Sequence, residues 1–250
     1  MSAFMQNCGI PIDFEGFQNT RMPRDIAVFF DDFIGASWST TADANIWNQT
    51  LIAQLTTAAV LDGTDDAEDE AGGVLNLITE GTVDDGINLQ VNGHAFHMAD
   101  GYPLYFETRI NIGDVSNVDG FIGLAVTDPE IFTGGVSDRV GFELSAGTLS
   151  AISENTTVQK TVNAGITETD DDWIRLAFFW DGDDKLVFTV DTDDDGVFDY
   201  VTTLKASTTA DYVVQDMMMT PTIEFITGAT ATAERMYVDY VLCMQQRFSE

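Results

Sequence analysis

The residues of this 250-residue chain with most capacity for chemistry are carboxylates. In DTDDDGVFD, residues 191–199, Asp191, Asp193 and Asp195 take positions one, three and five and Gly196 position six, the opening of a calcium loop. Position twelve is Thr202, where such a loop carries a bidentate Glu, and no helix is expected on either side. The alternating residues on both flanks make the segment a hairpin turn with Asp195 and Gly196 as the reversing pair. No metal and no cofactor is therefore assigned, and calcium stands as the alternative reading.

The other candidates are thinner. His94 and His97 in GHAFH are bracketed by Gly93 and Gly101 with no third ligand apparent, so they read as a loop pair with ordinary hydrogen bonds. Asp65, Asp66, Glu68, Asp69 and Glu70 crowd an acidic loop over 62–73 that reads as a solvated connection. Glycoside hydrolysis needs two carboxylates flanking the scissile bond, and this loop lacks the period-two placement that would aim them into a cleft. There is no nucleophile elbow and no P-loop. The chain reads as a non-enzyme.

The elements that must carry these residues are strands. Residues 173–204 form three apolar-rich runs joined by the acidic turns DGDD and DDDG, and Ile174, Leu176, Phe178 and Trp180 share one face at a spacing of two. This is a β-meander. Further strands are expected at 26–33, 73–79, 87–91, 104–112, 121–127, 140–144, 149–153, 156–162, 221–227 and 235–246; residues 45–61 favour strand over helix. The segment 94–103 reads as a connection, and Met217, Met218 and Met219 as packing residues. So many short strands without a long amphipathic helix predict an all-β antiparallel sandwich over 26–250. Residues 1–25 hold Ile10, Ile12, Phe14, Phe17, Arg21 and Arg24 without clear periodicity. They read as an extended N-terminal arm that needs an apolar surface to lie on.

Composition excludes several partners. The chain has 42 Asp and Glu against 10 Lys and Arg, a formal net charge of −32. Nucleic acid is excluded because binding needs a basic surface that displaces counterions from phosphates, and an anionic membrane is excluded for the same reason. Cys8 and Cys243 read as reduced thiols, although one disulfide is arithmetically possible. The first 17 residues have neither a basic n-region nor a continuous apolar run, so no secretory signal is expected and synthesis is placed in the cytoplasm.

LYFETRINI, VDGFIGLAVTDP, VGFELSAGTLSA, DDWIRLAFFWDGDDKLVFTVD and RMYVDYVLCMQQR, in this order over about residues 70–247, resemble the concanavalin-like jelly-roll family of lectin and laminarinase-type sandwiches. Active glycosidases of that family carry Glu, Asp and Glu on alternate positions of one strand, and no strand here has that pattern. FDDFIGASW and AGGVLNLITEGTVDDGINLQ resemble the version of this sandwich found in structural proteins of tailed bacteriophages. That resemblance implies a virion component, a decoration or cement protein on the outer surface of the head. Its partners would be the major capsid protein and neighbouring copies of itself, as a homotrimer set by lattice symmetry. Ile10, Ile12, Phe14, Phe17, Arg21 and Arg24 would then make the capsid or inter-subunit contacts. The alternative is a non-catalytic carbohydrate-binding module, with Trp38 and Trp47 as the aromatics that stack on sugars.

Overall fold

The computed structural model describes residues 26–33, 38–39, 46–53, 60–61, 73–93, 96–132, 138–155, 158–167, 169–206 and 216–247. The arm residues Ile10, Ile12, Phe14, Phe17, Arg21 and Arg24, together with Cys8, the carboxylates of residues 65–70 and His94, lie outside the described residues.

The strands in chain order are β1 (Ile26–Asp31), β2 (Trp38–Ser39), β3 (Trp47–Ile52), β4 (Val60–Leu61), β5 (Leu75–Ile78), β6 (Gly86–Val91), β7 (Phe96–Met98), β8 (Leu104–Ile112), β9 (Val118–Ala125), β10 (Arg139–Ser145), β11 (Thr148–Asn155), β12 (Val158–Thr167), β13 (Trp173–Trp180), β14 (Lys185–Asp191), β15 (Tyr200–Lys205), β16 (Met217–Thr227) and β17 (Arg235–Gln246). They form two sheets. One is ordered β15-β14-β13-β8-β17-β5-β4 with β1 on β17, and the other β12-β11-β10-β9-β16-β6-β3-β2 with β7 on β16. Pairing is antiparallel except between β2 and β3. The molecule is an antiparallel β-sandwich.

The alternation read from sequence is what closes it. Ile174, Leu176, Phe178 and Trp180 of β13 are all buried and face Leu104, Phe106 and Ile110 of β8 on the same inner face. Phe106 stacks on Phe178 at 5.1 Å, Phe178 meets Phe188 at 5.8 Å, and Phe188 takes Phe142 of the opposite sheet edge-on at 5.6 Å. A continuous core of this kind, running from Phe33 to Cys243, supplies the main favourable term in folding. Gly123 and Gly141 face each other across β9 and β10, where a Cβ on either would come within 2.3 Å of a carbonyl oxygen. The bareness of Gly123 also leaves room for the tip of the Phe121 ring, which a Cβ there would meet at 3.0 Å.

Two expectations are corrected. Phe96–Met98 is a strand rather than part of a connection, paired with Met217, Met218 and Met219; His97 therefore sits on a strand. The reversal between β14 and β15 spans residues 191–199, and its positive φ angles fall on Asp194 (53°) and Gly196 (87°), not on Asp195 and Gly196. The eight residues between the strands make a longer loop than a two-residue turn, with a left-handed Asp near its centre.

Candidate functional site

The loop 191–199 folds back against the outer face of the sheet that carries it. Asp194 turns inward: its carboxylate accepts from Arg109 Nε at 2.8 Å and Arg175 Nη2 at 2.7 Å. Arg109 also reaches Asp239 at 3.0 Å and lies over the Trp173 ring at 4.2 Å. Phe198 packs beside Tyr105, Ala177, Phe179, Leu242 and Met244 on the same face. Two arginines and an apolar foot thus fix the loop from below.

Its other acids point elsewhere. A carboxylate oxygen from each of Asp191, Asp193 and Asp195 lies within 4.8 Å of the others. Asp191, the last residue of β14, is 0% exposed, whereas Asp193 and Asp195 are exposed. Asp191 Oδ2 accepts from Gly196 N–H at 3.0 Å, and Asp191 Oδ1 has no hydrogen-bond partner among the described residues. Burial pushes the Asp191 carboxyl above its usual range, against the lowering effect of the Gly196 N–H and Arg175. Thr192 donates its N–H and hydroxyl to Asp199 at 2.9 and 2.8 Å, which holds that carboxyl below its usual range. An all-oxygen, acidic cluster of this kind attracts a hard cation.

The opposite sheet carries a second buried carboxylate on its outer face. Glu224 of β16 is 1% exposed and accepts from Asn88 Nδ2 at 2.6 Å and from the N–H groups of Ile131 and Phe132, both at 2.7 Å. Gln90 adds bonds to Val126 O and from Asp128 N. Together Asn88, Gln90 and Glu224 pin residues 126–132 over the sheet, with Ile131 seated among Phe121, Ala125 and Ile152. Burial pushes the Glu224 carboxyl up, partly offset by its three donors. Nearby, Arg139 joins Glu154 at 2.6 Å and Glu143 at 2.7 Å. A carboxylate that accepts from three donors in this way anchors the overlying loop to the sheet.

Trp47 does not fit the role of a sugar-stacking residue. It is 1% exposed, its Nε1–H donates to Asp31 Oδ2 at 2.8 Å, and Phe29 and Phe33 pack on it at 5.7 and 6.0 Å. The ring ties β1 of one sheet to β3 of the other and presents no open face. Trp38 opens β2, beside Trp47 in the parallel pair; its side chain is outside the described residues. His97 Nε2 pairs with Asp216 at 3.1 Å and its ring meets Tyr102. Among the described residues it joins no group able to hold a metal.

No protein-family model matches the sequence, and no curated protein matches it. Solved structures do. The chain is similar to an endo-1,3-β-glucanase from Streptomyces sioyaensis, at 15% identity and a TM-score of 0.54 over 90% of this chain and 98% of that one. It is also similar to winged bean acidic lectin, solved with methyl-α-D-galactose, at 9% identity and 0.57 over 89% and 99%. The fold is the concanavalin-like jelly roll. A third similar structure is the CBM2 module of the evolved Dit of Lactobacillus casei BL23 phage J-1, at 15% identity and 0.52 over 88% and 96%. At these identities the concanavalin-like likeness is one of architecture alone.

On this jelly roll, sequence reasoning found the Asp191 loop and missed its Arg clamp. It also missed the Glu224 anchor, although the polar residues of INLQV and PTIEFIT, at alternate positions in apolar strands, were a visible signal. Tyr105 and Glu107 stand two residues apart on one strand face, whereas the Tyr240 hydroxyl that also donates to Glu107 gave no local signal, since it lies 133 residues away. Burial, followed by the Glu107 charge, pushes the Tyr240 phenol well above its usual range.

Proposed function

We propose that this jelly roll is a non-catalytic structural component of a virus particle, a decoration protein on the outer surface of a tailed-phage head, held to the shell by residues 1–25. The observation that carries the reading is the character of the strand that continues the arm. Val28 and Phe30 of β1 are 60% and 56% exposed on a chain of net charge −32, so apolar surface is presented where the arm enters the sandwich. Phe30 rests against Tyr240 and leaves its remaining surface open to a partner. The strong negative charge disfavours a position facing packaged DNA and suits an outer surface. The use of the same fold in a phage Dit module supports a place on a particle. The capped Glu224 and the paired Glu143 and Glu154 support a role without catalysis.

Ile10, Ile12, Phe14 and Phe17 supply the apolar contacts in this reading, and Arg21 and Arg24 pair with carboxylates of the major capsid protein or of a neighbouring copy in a homotrimer. Deleting residues 1–24 should leave a folded sandwich that no longer cosediments with heads of the encoding virus. Normal occupancy by the truncated protein would overturn the proposal.

The second reading, a glycan-binding module, is favoured by the fold shared with a lectin and a carbohydrate-binding module. Trp38 carries that reading alone, since Trp47 is enclosed. Binding on a glycan array that disappears in Trp38→Ala would support it, and no binding across the array would refute it.

A further inference from the structure

We infer that the loop joining β14 and β15 is a calcium-binding site in which Asp191, Asp193 and Asp195 supply the protein carboxylates. Three carboxylates brought within 4.8 Å of one another repel unless a cation joins them. The loop's own cationic support goes mainly to Asp194, which both Arg109 and Arg175 hydrogen-bond, and reaches the triad only through the long ion pair of Arg175 Nη1 with Asp191 Oδ2 at 3.9 Å.

The independent observation is Asp191 itself. The residue is 0% exposed, its Oδ2 is held by the Gly196 N–H, and its Oδ1 is buried without a hydrogen-bond partner among the described residues. A buried acceptor left unpaired is unfavourable, and in native structures such an atom usually finds a partner, an ordered water or an ion among them. Here the side chain that carries it belongs to the same triad as two exposed carboxylates that are open to water. Strand geometry makes Asp191 the rigid member, because it closes the β14 ladder opposite Arg175. Asp193 and Asp195 stand on the loop and can close on an ion.

The donor set selects the ion. All three ligands are hard carboxylate oxygens, which disfavours zinc and copper. Calcium accepts six to eight oxygens in flexible geometry, so loop carbonyls and water can complete its shell, whereas magnesium demands a near-ideal octahedron and keeps its own waters. The position that would carry a bidentate Glu in a helix-flanked loop is Thr202, paired with Phe188 in the β14–β15 ladder. Without that ligand the affinity should fall in the weak class, with a Kd on the order of 10⁻⁴–10⁻³ M. The site would rigidify the hairpin loop on the Arg109–Arg175 clamp at millimolar calcium.

The test is a thermal melt of the full chain, stripped with EGTA and returned to 10 mM CaCl₂, beside the double variant Asp193→Asn/Asp195→Asn. Both substituted residues are exposed, and Asn at 195 can still accept from Val197 N–H as Asp195 does. Asp183→Asn, an exposed acid on the neighbouring turn, controls for loss of charge. Calcium should raise the Tm of the native chain and of Asp183→Asn by about 3–10 °C, from that Kd class and the usual temperature response of a domain this size. The double variant should lose most of the rise. An equal rise with MgCl₂ or with NaCl at matched ionic strength would reduce the effect to screening and overturn the site. So would no rise, or a double variant that responds like the native chain.

Discussion

Replacing Glu224 by Ala tests whether this buried carboxylate is an anchor. Its removal strands the N–H groups of Ile131 and Phe132 and one N–H of Asn88, all of which it accepts at 2.6–2.7 Å. A buried donor left unsatisfied costs about 1–3 kcal/mol. Relief of the buried charge offsets part of the sum, so a net loss of about 2–5 kcal/mol is expected, or roughly 4–20 °C in Tm. Urea denaturation at several pH values measures it. The folded state holds the Glu224 proton more tightly than the unfolded chain, whose value is near 4.5. Native stability from this group therefore falls as pH rises from 4.5 through the raised folded value, then levels off. Glu224→Ala lacks that slope, so the gap between native and variant should narrow over the same window. Chymotrypsin should also cut after Phe132 far faster in the variant, because residues 126–132 lose their seat. A variant within about 0.5 kcal/mol of native, with unchanged cleavage, would refute the anchor.

Two further outcomes follow from buried groups. Asp194→Asn withdraws the carboxylate shared by Arg109 and Arg175 and should destabilise by about 2–4 kcal/mol in urea, given that the pairs are mostly but not wholly enclosed; a shift as small as that of a surface substitution would contradict the clamp. Cys243 is fully enclosed with its thiol pushed up by burial, so in a Cys8→Ser background a thiol reagent should label it only on unfolding. Native-state labelling at the rate of a free thiol would show that β17 is not packed as described.

The fold was legible where one face of a strand alternates. β8 and β13 appear in the sequence as LYFETRINI and WIRLAFFW; the first was placed at its observed ends, and the shared face of Ile174, Leu176, Phe178 and Trp180 in the second is the one buried. β7 was not legible: three residues between glycines carry too short a pattern, and what makes them a strand is the edge offered by Met217–219 more than a hundred residues later. The outer-face lid was equally hidden. Nothing local in residues 126–132 announces that Glu224, Asn88 and Gln90 will hold it, since those bonds join residues up to 93 positions apart. Trp47 shows the converse failure, because an isolated Trp beside polar residues looks available until Asp31 and two phenylalanines close around it. At the acidic loop the sequence disclosed the triad by its spacing, whereas the diversion of Asp194 to two arginines on other strands depends on the sheet order β14-β13-β8.

The proposed role as a structural component of a particle surface is tested most directly by locating the protein in the virus that the proposal implies. A cryo-electron microscopy map of the encoding virus should show the sandwich outside the head shell at lattice positions, with residues 1–25 extended along capsid subunits. Density confined to the tail tip, or particles that contain none of the chain, would contradict it.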